Sequence, residues 1–116
     1  CILFIYSSRY LHENQCVKAT ECPVGMTRYG GESQDRECAA PFTCTNKQRP
    51  DGTPCRCGTK RCGTCKWEPD NAAGQDVCLA CKSPYWLMDD GSCPRTCPKD
   101  HRIIDENGIR RCRPPV

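Results

Sequence analysis

Fourteen of the 116 residues are cysteine, and no other property of the chain limits its fold as strongly. A cysteine content above about 8–10% in a short chain marks a disulfide scaffold. An even count lets every thiol find a partner. Disulfides persist in oxidising compartments, so the sequence reads as that of a secretory-pathway protein, extracellular or at the cell surface.

The remaining composition points the same way. Apolar residues are 37% of the chain with cysteine counted among them. Setting the cysteines aside leaves roughly 29, several of them as small as Ala19, Ala39, Ala40, Ala72 and Ala73. Chains that cannot fill a core depend on cross-links. Each bridge contributes about 2–4 kcal/mol, mainly by restricting the unfolded chain. The expected fold is therefore small and disulfide-rich, with little regular secondary structure: an elongated row of short β-hairpin and disulfide-knot modules in place of one large core.

A net charge of +3 is too small to imply nucleic acid as a partner. Two basic clusters occur, Lys60, Arg61 and Lys66, then Arg110, Arg111 and Arg113. They read as solvated surface or as contacts for an acidic partner or heparan-like polymer. The apolar run Ile2 to Tyr6 falls far short of the ~20 residues a membrane helix needs, so no membrane insertion is expected. No Asn-x-Ser/Thr sequon occurs at Asn14, Asn46, Asn71 or Asn107. The chain opens on Cys1 without a visible leader, and we expect it to be a segment of a larger protein.

No 3.6-residue apolar period persists, and 10 prolines and 9 glycines interrupt the chain. Short strands are expected at Leu3 to Tyr6, Arg9 to His12, Tyr85 to Met88 and His101 to Ile104. Turn signals lie at Gly30-Gly31, Asp51-Gly52, Asp90-Gly91 and Asn107-Gly108, the last two being pairs favoured in two-residue hairpins. An internal repeat is also visible. Residues 10–22 read YLHENQCVKATEC and residues 85–97 read YWLMDDGSCPRTC. Each copy has an aromatic, a Leu, a polar turn, a Cys and then Cys-Pro, and each runs on to a further cysteine, Cys38 or Cys112. Cys1 holds in the first copy the place of Cys81 in the second, so the first repeat is read as truncated. Such self-similarity implies stacked modules.

The stretch CGTC, twelve residues, CLAC and then YWLMDDGSCPRTCP resembles the furin-like repeat. That repeat builds the cysteine-rich domains of growth-factor receptors, and RYLHENQC with ECPVG is also similar to R-spondin-type repeats. The resemblance covers most of the chain and is weakest from Ala39 to Lys60. It implies a truncated repeat with an irregular connector over residues 1–56 and a second repeat over 57–116. It also implies a pairing: Cys1–Cys16, Cys22–Cys38, Cys44–Cys55, Cys57–Cys65, Cys62–Cys78, Cys81–Cys93 and Cys97–Cys112. Cys55 and Cys57 are separated by one residue and can exchange roles in this scheme. Fourteen cysteines allow on the order of 10⁵ connectivities, so the implied set is specific.

Other chemistries compete for the same residues. Cys62-x2-Cys65 and Cys78-x2-Cys81 have the spacing of a four-thiolate zinc site, but the other ten cysteines lack it. Cys62-Gly-Thr-Cys65 as a redox pair would need a thioredoxin-like setting, for which there is no pattern. His12 and His101 are the only histidines, and Asp89-Asp90 falls in a turn signal. No catalytic, cofactor-binding or metal-ligating residue is assigned. The candidate partner contacts are Ile2, Phe4 and Tyr6 on one strand face, with Trp67 and Trp86 as aromatic anchors. The competing reading of the two tryptophans is that they cap neighbouring disulfides.

The sequence thus reads as a non-enzymatic extracellular cysteine-rich module acting as a rigid spacer and protein-contact arm, receptor-ectodomain-like. A secreted modulator of the R-spondin type, or a structural component of an extracellular assembly or pathogen coat, is the alternative. The partners are proteins, either other domains of the same large protein or a receptor or ligand.

Overall fold

The computed structural model describes residues 1, 8–31, 35–69 and 76–115. Among the described residues, ten short strands form three small sheets in chain order. In the first, β1 (Tyr10–His12), β2 (Gln15–Val17), β3 (Thr27–Tyr29) and β4 (Glu37–Ala39) lie in the order β2-β1-β4-β3. The second sheet is antiparallel, β5 (Phe42–Thr45), β6 (Cys62–Trp67) and β7 (Val77–Cys81), with β6 central. The third has β10 (Ile109–Arg113) between β8 (Leu87–Met88) and β9 (Arg102–Glu106). The only helical turn among the described residues is a 3-10 turn at Ala19–Glu21. The side chain of Glu21 there accepts the Lys18 N–H at 2.8 Å.

Local sequence explains the hairpins. Asn107-Gly108 turns β9 into β10 with φ of 55° and 83°, the doubly left-handed backbone of a type I′ turn. Glu13-Asn14 turns β1 into β2 with φ of 49° and 65°, and Asn46-Lys47 follows β5 with 51° and 64°. Neither contains glycine, so neither stands out as a turn signal. At Asp90-Gly91 the outcome differs from the expected hairpin. A tight turn forms, with the Met88 N–H donating to the Ser92 carbonyl, but the strand paired with β8 is β10, in parallel. Of the expected strands, Arg9 to His12 appears as Tyr10–His12, Tyr85 to Met88 shortens to Leu87–Met88, and His101 to Ile104 moves to Arg102–Glu106. Leu3 to Tyr6 lies outside the described residues.

The chain measures 48 × 25 × 25 Å, with a radius of gyration of 16.0 Å, against about 13 Å for a compact domain of this size. A thin seam runs along it: Tyr29, Ala39, Cys44, Cys55, Cys62, Cys65, Trp67, Cys78, Leu87 and Cys93. Six of these ten are cysteines, so sulfur supplies most of what hydrocarbon supplies in an ordinary core. Every cysteine is bridged. Cys1–Cys16 and Cys22–Cys38 tie the first sheet. Cys44–Cys55, Cys57–Cys65 and Cys62–Cys78 tie the second. Cys81–Cys93 links the end of β7 to the loop after β8, and Cys97–Cys112 closes the third sheet. Residues on both sides of position 56 share the second sheet, because β5 pairs with β6 from Phe42↔Trp67 to Thr45↔Thr64.

Candidate functional site

Cys81–Cys93 gives the second and third sheets a covalent link. Among the described residues no disulfide passes from the first sheet to the second, and that joint is built from aromatic rings and ion pairs. Tyr29, the last residue of β3, meets Trp67, the last of β6, edge to face at 4.9 Å, and meets Phe42 at 5.2 Å. The peptides of Arg56 are held between the two larger rings: its N–H donates to the Tyr29 hydroxyl at 3.0 Å, and its carbonyl accepts from Trp67 Nε1 at 3.2 Å. Thr27, buried on β3, donates its hydroxyl to the Glu68 carbonyl at 3.2 Å. Arg56 pairs with Asp35, and Arg49 pairs with Glu37 while its guanidinium lies over Phe42 and Tyr29 at 4.5 and 4.9 Å. Burial pushes the Tyr29 phenol above its ordinary pKa; the Arg56 N–H and the nearby guanidinium groups offset part of that shift.

The joint corrects one expectation. Trp67 is not available as a partner contact, since only 1% of it is exposed. It closes a central strand, with Phe42 opposite it across the β5–β6 register and Tyr29 over its edge. A buried indole needs an acceptor for its N–H, and the Arg56 carbonyl provides one.

Trp86 is placed differently. It is half-buried just ahead of the edge strand β8, and the guanidinium of Arg110 lies 3.8 Å from its ring centroid. Beside it Tyr85 carries Arg61 at 4.7 Å. Trp86 with Arg110 and Tyr85 with Arg61 are thus two aromatic–arginine pairs carried by adjacent residues between β7 and β8. Aromatic and arginine side chains are the types that dominate protein–protein binding energy. Ile2, Phe4 and Tyr6 lie outside the described residues.

The remaining candidates have local roles. Asp90 accepts the Ser92 N–H at 2.9 Å and its hydroxyl at 2.6 Å, and these bonds lower its pKa. His12 is half-buried, 3.9 Å from Glu13. Cys62, Cys65, Cys78 and Cys81 share no site: they belong to three separate bridges. Asp76 is pushed above the ordinary carboxylate range by burial, although the Gly58 N–H favours its charged form. Tyr29 and Arg56 carry no sequence signal for the role they share; only the docking of two sheets brings them together.

Among the described residues no helix is long and apolar enough to cross a membrane. No family model, curated protein or solved structure matches the chain.

Proposed function

We propose that this chain is a rigid spacer and protein-contact arm within a larger secreted or cell-surface protein, of the cysteine-rich kind found in growth-factor receptors, and that it binds rather than catalyses. The observation that carries this reading is the extended shape. Three cross-linked sheets follow one another over 48 Å, each too small to have a core of its own. Such a row transmits distance and angle in a way a flexible linker of equal length does not. The Trp86–Arg110 and Tyr85–Arg61 pairs supply candidate contact residues between β7 and β8. The cross-links themselves favour an oxidising, extracellular setting.

The test is a distance measurement along the arm. Dyes introduced through non-natural amino acids at the exposed positions Val24 and Ile103 report the separation of the first and third sheets. A narrow distance distribution in the oxidised protein, broadening on reduction, is the expected result. A broad distribution with all bridges intact would end the spacer reading.

A further inference from the structure

The basic residues of this chain are not distributed evenly among partners. Lys66 pairs with Glu68 at 2.7 Å. Arg111 and Arg113 pair with Glu106 at 3.1 and 3.0 Å. Arg49 and Arg56 are engaged at the joint between the first two sheets, and Arg61 and Arg110 lie on aromatic rings. Lys47, Lys60 and Lys82 have no carboxylate partner among the described residues, and all three line one cleft of about 570 Å³ on the second sheet. They are half of the six lysines in the chain. Among the described residues, no Asp or Glu lines this cleft.

Three separate loops bring them together. Lys47 sits in the turn after β5, where the Asn46 N–H donates to the Gly63 carbonyl at 3.4 Å. The Lys47 carbonyl accepts the Cys55 N–H at 3.1 Å. Lys60 stands on the loop between Cys57 and Cys62. Lys82 leaves the end of β7 with its N–H donating to the Arg61 carbonyl at 2.7 Å. Cys44, Cys57 and Cys62 also line the cleft, and their bridges hold the three loops in place. Arg56 also lines the cleft, but it is paired with Asp35. Like charges gathered around one concavity repel one another, and the three lysines have no such partner among the described residues.

We propose that this cleft binds a linear polyanion, a sulfated polysaccharide. Lysine ammonium groups are compact, rotatable point charges suited to tetrahedral oxyanions, and they do not demand the planar, bidentate geometry that arginine reads in carboxylates. Several cations around one open cleft suit successive charged groups of a polymer more than one small ion. The oxidising setting of the disulfides makes a sulfated polysaccharide the polyanion such a surface meets. The site does not depend on the spacer role: a flexible chain with this cleft would bind equally, and a rigid one without it would still space.

The experiment is titration of the oxidised protein with a heparin octasaccharide between about 50 and 200 mM salt, where counterion release makes polyanion binding steeply salt-dependent. Lys47→Gln/Lys60→Gln/Lys82→Gln should lose about tenfold or more in affinity and show a shallower salt dependence. Lys18→Gln/Arg95→Gln/Lys99→Gln removes the same charge from exposed positions of the other two modules and should stay within about twofold of the parent protein. Equal losses in the two variants would reduce the effect to net charge and overturn the site. Equally tight binding of an oligoglutamate of matched charge would overturn the assignment of the ligand to a sulfated polymer, as would an octasaccharide affinity that inorganic sulfate at equal sulfate concentration reproduces.

Discussion

Tyr29 and Trp67 hold the Arg56 residue between them: the tyrosine oxygen accepts its N–H at 3.0 Å and the indole N–H donates to its carbonyl at 3.2 Å. The two rings also meet edge to face. This joint between the first and second sheets is non-covalent, whereas the next one carries Cys81–Cys93. The joint between the first and second sheets therefore depends on aromatic packing, and the joint between the second and third carries sulfur.

Trp67→Ala should cost about 3–5 kcal/mol, the range for deleting a large buried aromatic, and should leave the Arg56 carbonyl without its donor. Trp67→Phe keeps most of the packing and loses the hydrogen bond, with an expected cost of about 1–3 kcal/mol. Denaturant unfolding with all disulfides intact measures both. Equal and negligible losses would mean that the bridges alone hold the two sheets.

The pH response of the same joint follows from the raised pKa of Tyr29. The unfolded chain ionises this phenol at about pH 10, and the folded chain only above that. The folded state therefore holds the proton more tightly. The associated stability is complete below about pH 10 and is lost as pH rises through the folded value. Tyr29→Phe should be less stable at neutral pH, for want of the Arg56 contact, yet should lose less on going to alkaline pH. Stability against pH for the two proteins makes the comparison; parallel alkaline slopes would show that Tyr29 is not responsible.

Gly30 follows Tyr29 with φ of 105°, and a Cβ there would lie 2.5 Å from the Asp35 carbonyl oxygen. Gly25 also has positive φ, at 88°, but has open space around it. Gly30→Ala should therefore destabilise the first sheet by more than the ~1–3 kcal/mol of left-handed strain alone, and Gly25→Ala by no more than that strain. Thermal melts of the two variants should differ, and equal shifts would contradict the close approach at Gly30.

Replacing Cys81 and Cys93 together with serine should cost about 2–5 kcal/mol. Hydrogen exchange should accelerate in β8 and in the turn at Asp90-Gly91, because the bridge is the covalent link between β7 and that loop. The hairpin of β1 and β2, tied by Cys1–Cys16, should keep its protection. Uniform loss of protection from the first sheet to the third would show that the seam of buried residues acts as one cooperative unit and not as a row of modules.

Much of the architecture was legible in the cysteines. Their number and the scarcity of large apolar residues require a helix-poor, cross-linked and elongated chain, since covalent links replace a core that the composition cannot supply. The Asn107-Gly108 turn was legible because its backbone demands residues that tolerate positive φ. Glu13-Asn14 and Asn46-Lys47 adopt the same backbone without glycine and gave no comparable signal. The strand β6 was hidden because cysteine and glycine interrupt any alternation of apolar and polar residues, and β7, VCLAC, because it is a short unbroken apolar run with no alternation at all.

The tertiary structure alone decided which side chains are covered and which charges meet. Trp67 and Trp86 are alike in sequence, each an aromatic near a bridging cysteine. The first ends the central strand of its sheet and takes Tyr29 of the neighbouring sheet against it, whereas the second precedes an edge strand and is covered on one face by Arg110. Sequence adjacency groups Lys60 with Arg61 and Lys66. The fold disperses that group, giving Arg61 to Tyr85 and Lys66 to Glu68, and gathers Lys47, Lys60 and Lys82 around one cleft. Bridges and backbone hydrogen bonds between loops distant in sequence determine that grouping, and no local pattern of residues encodes it.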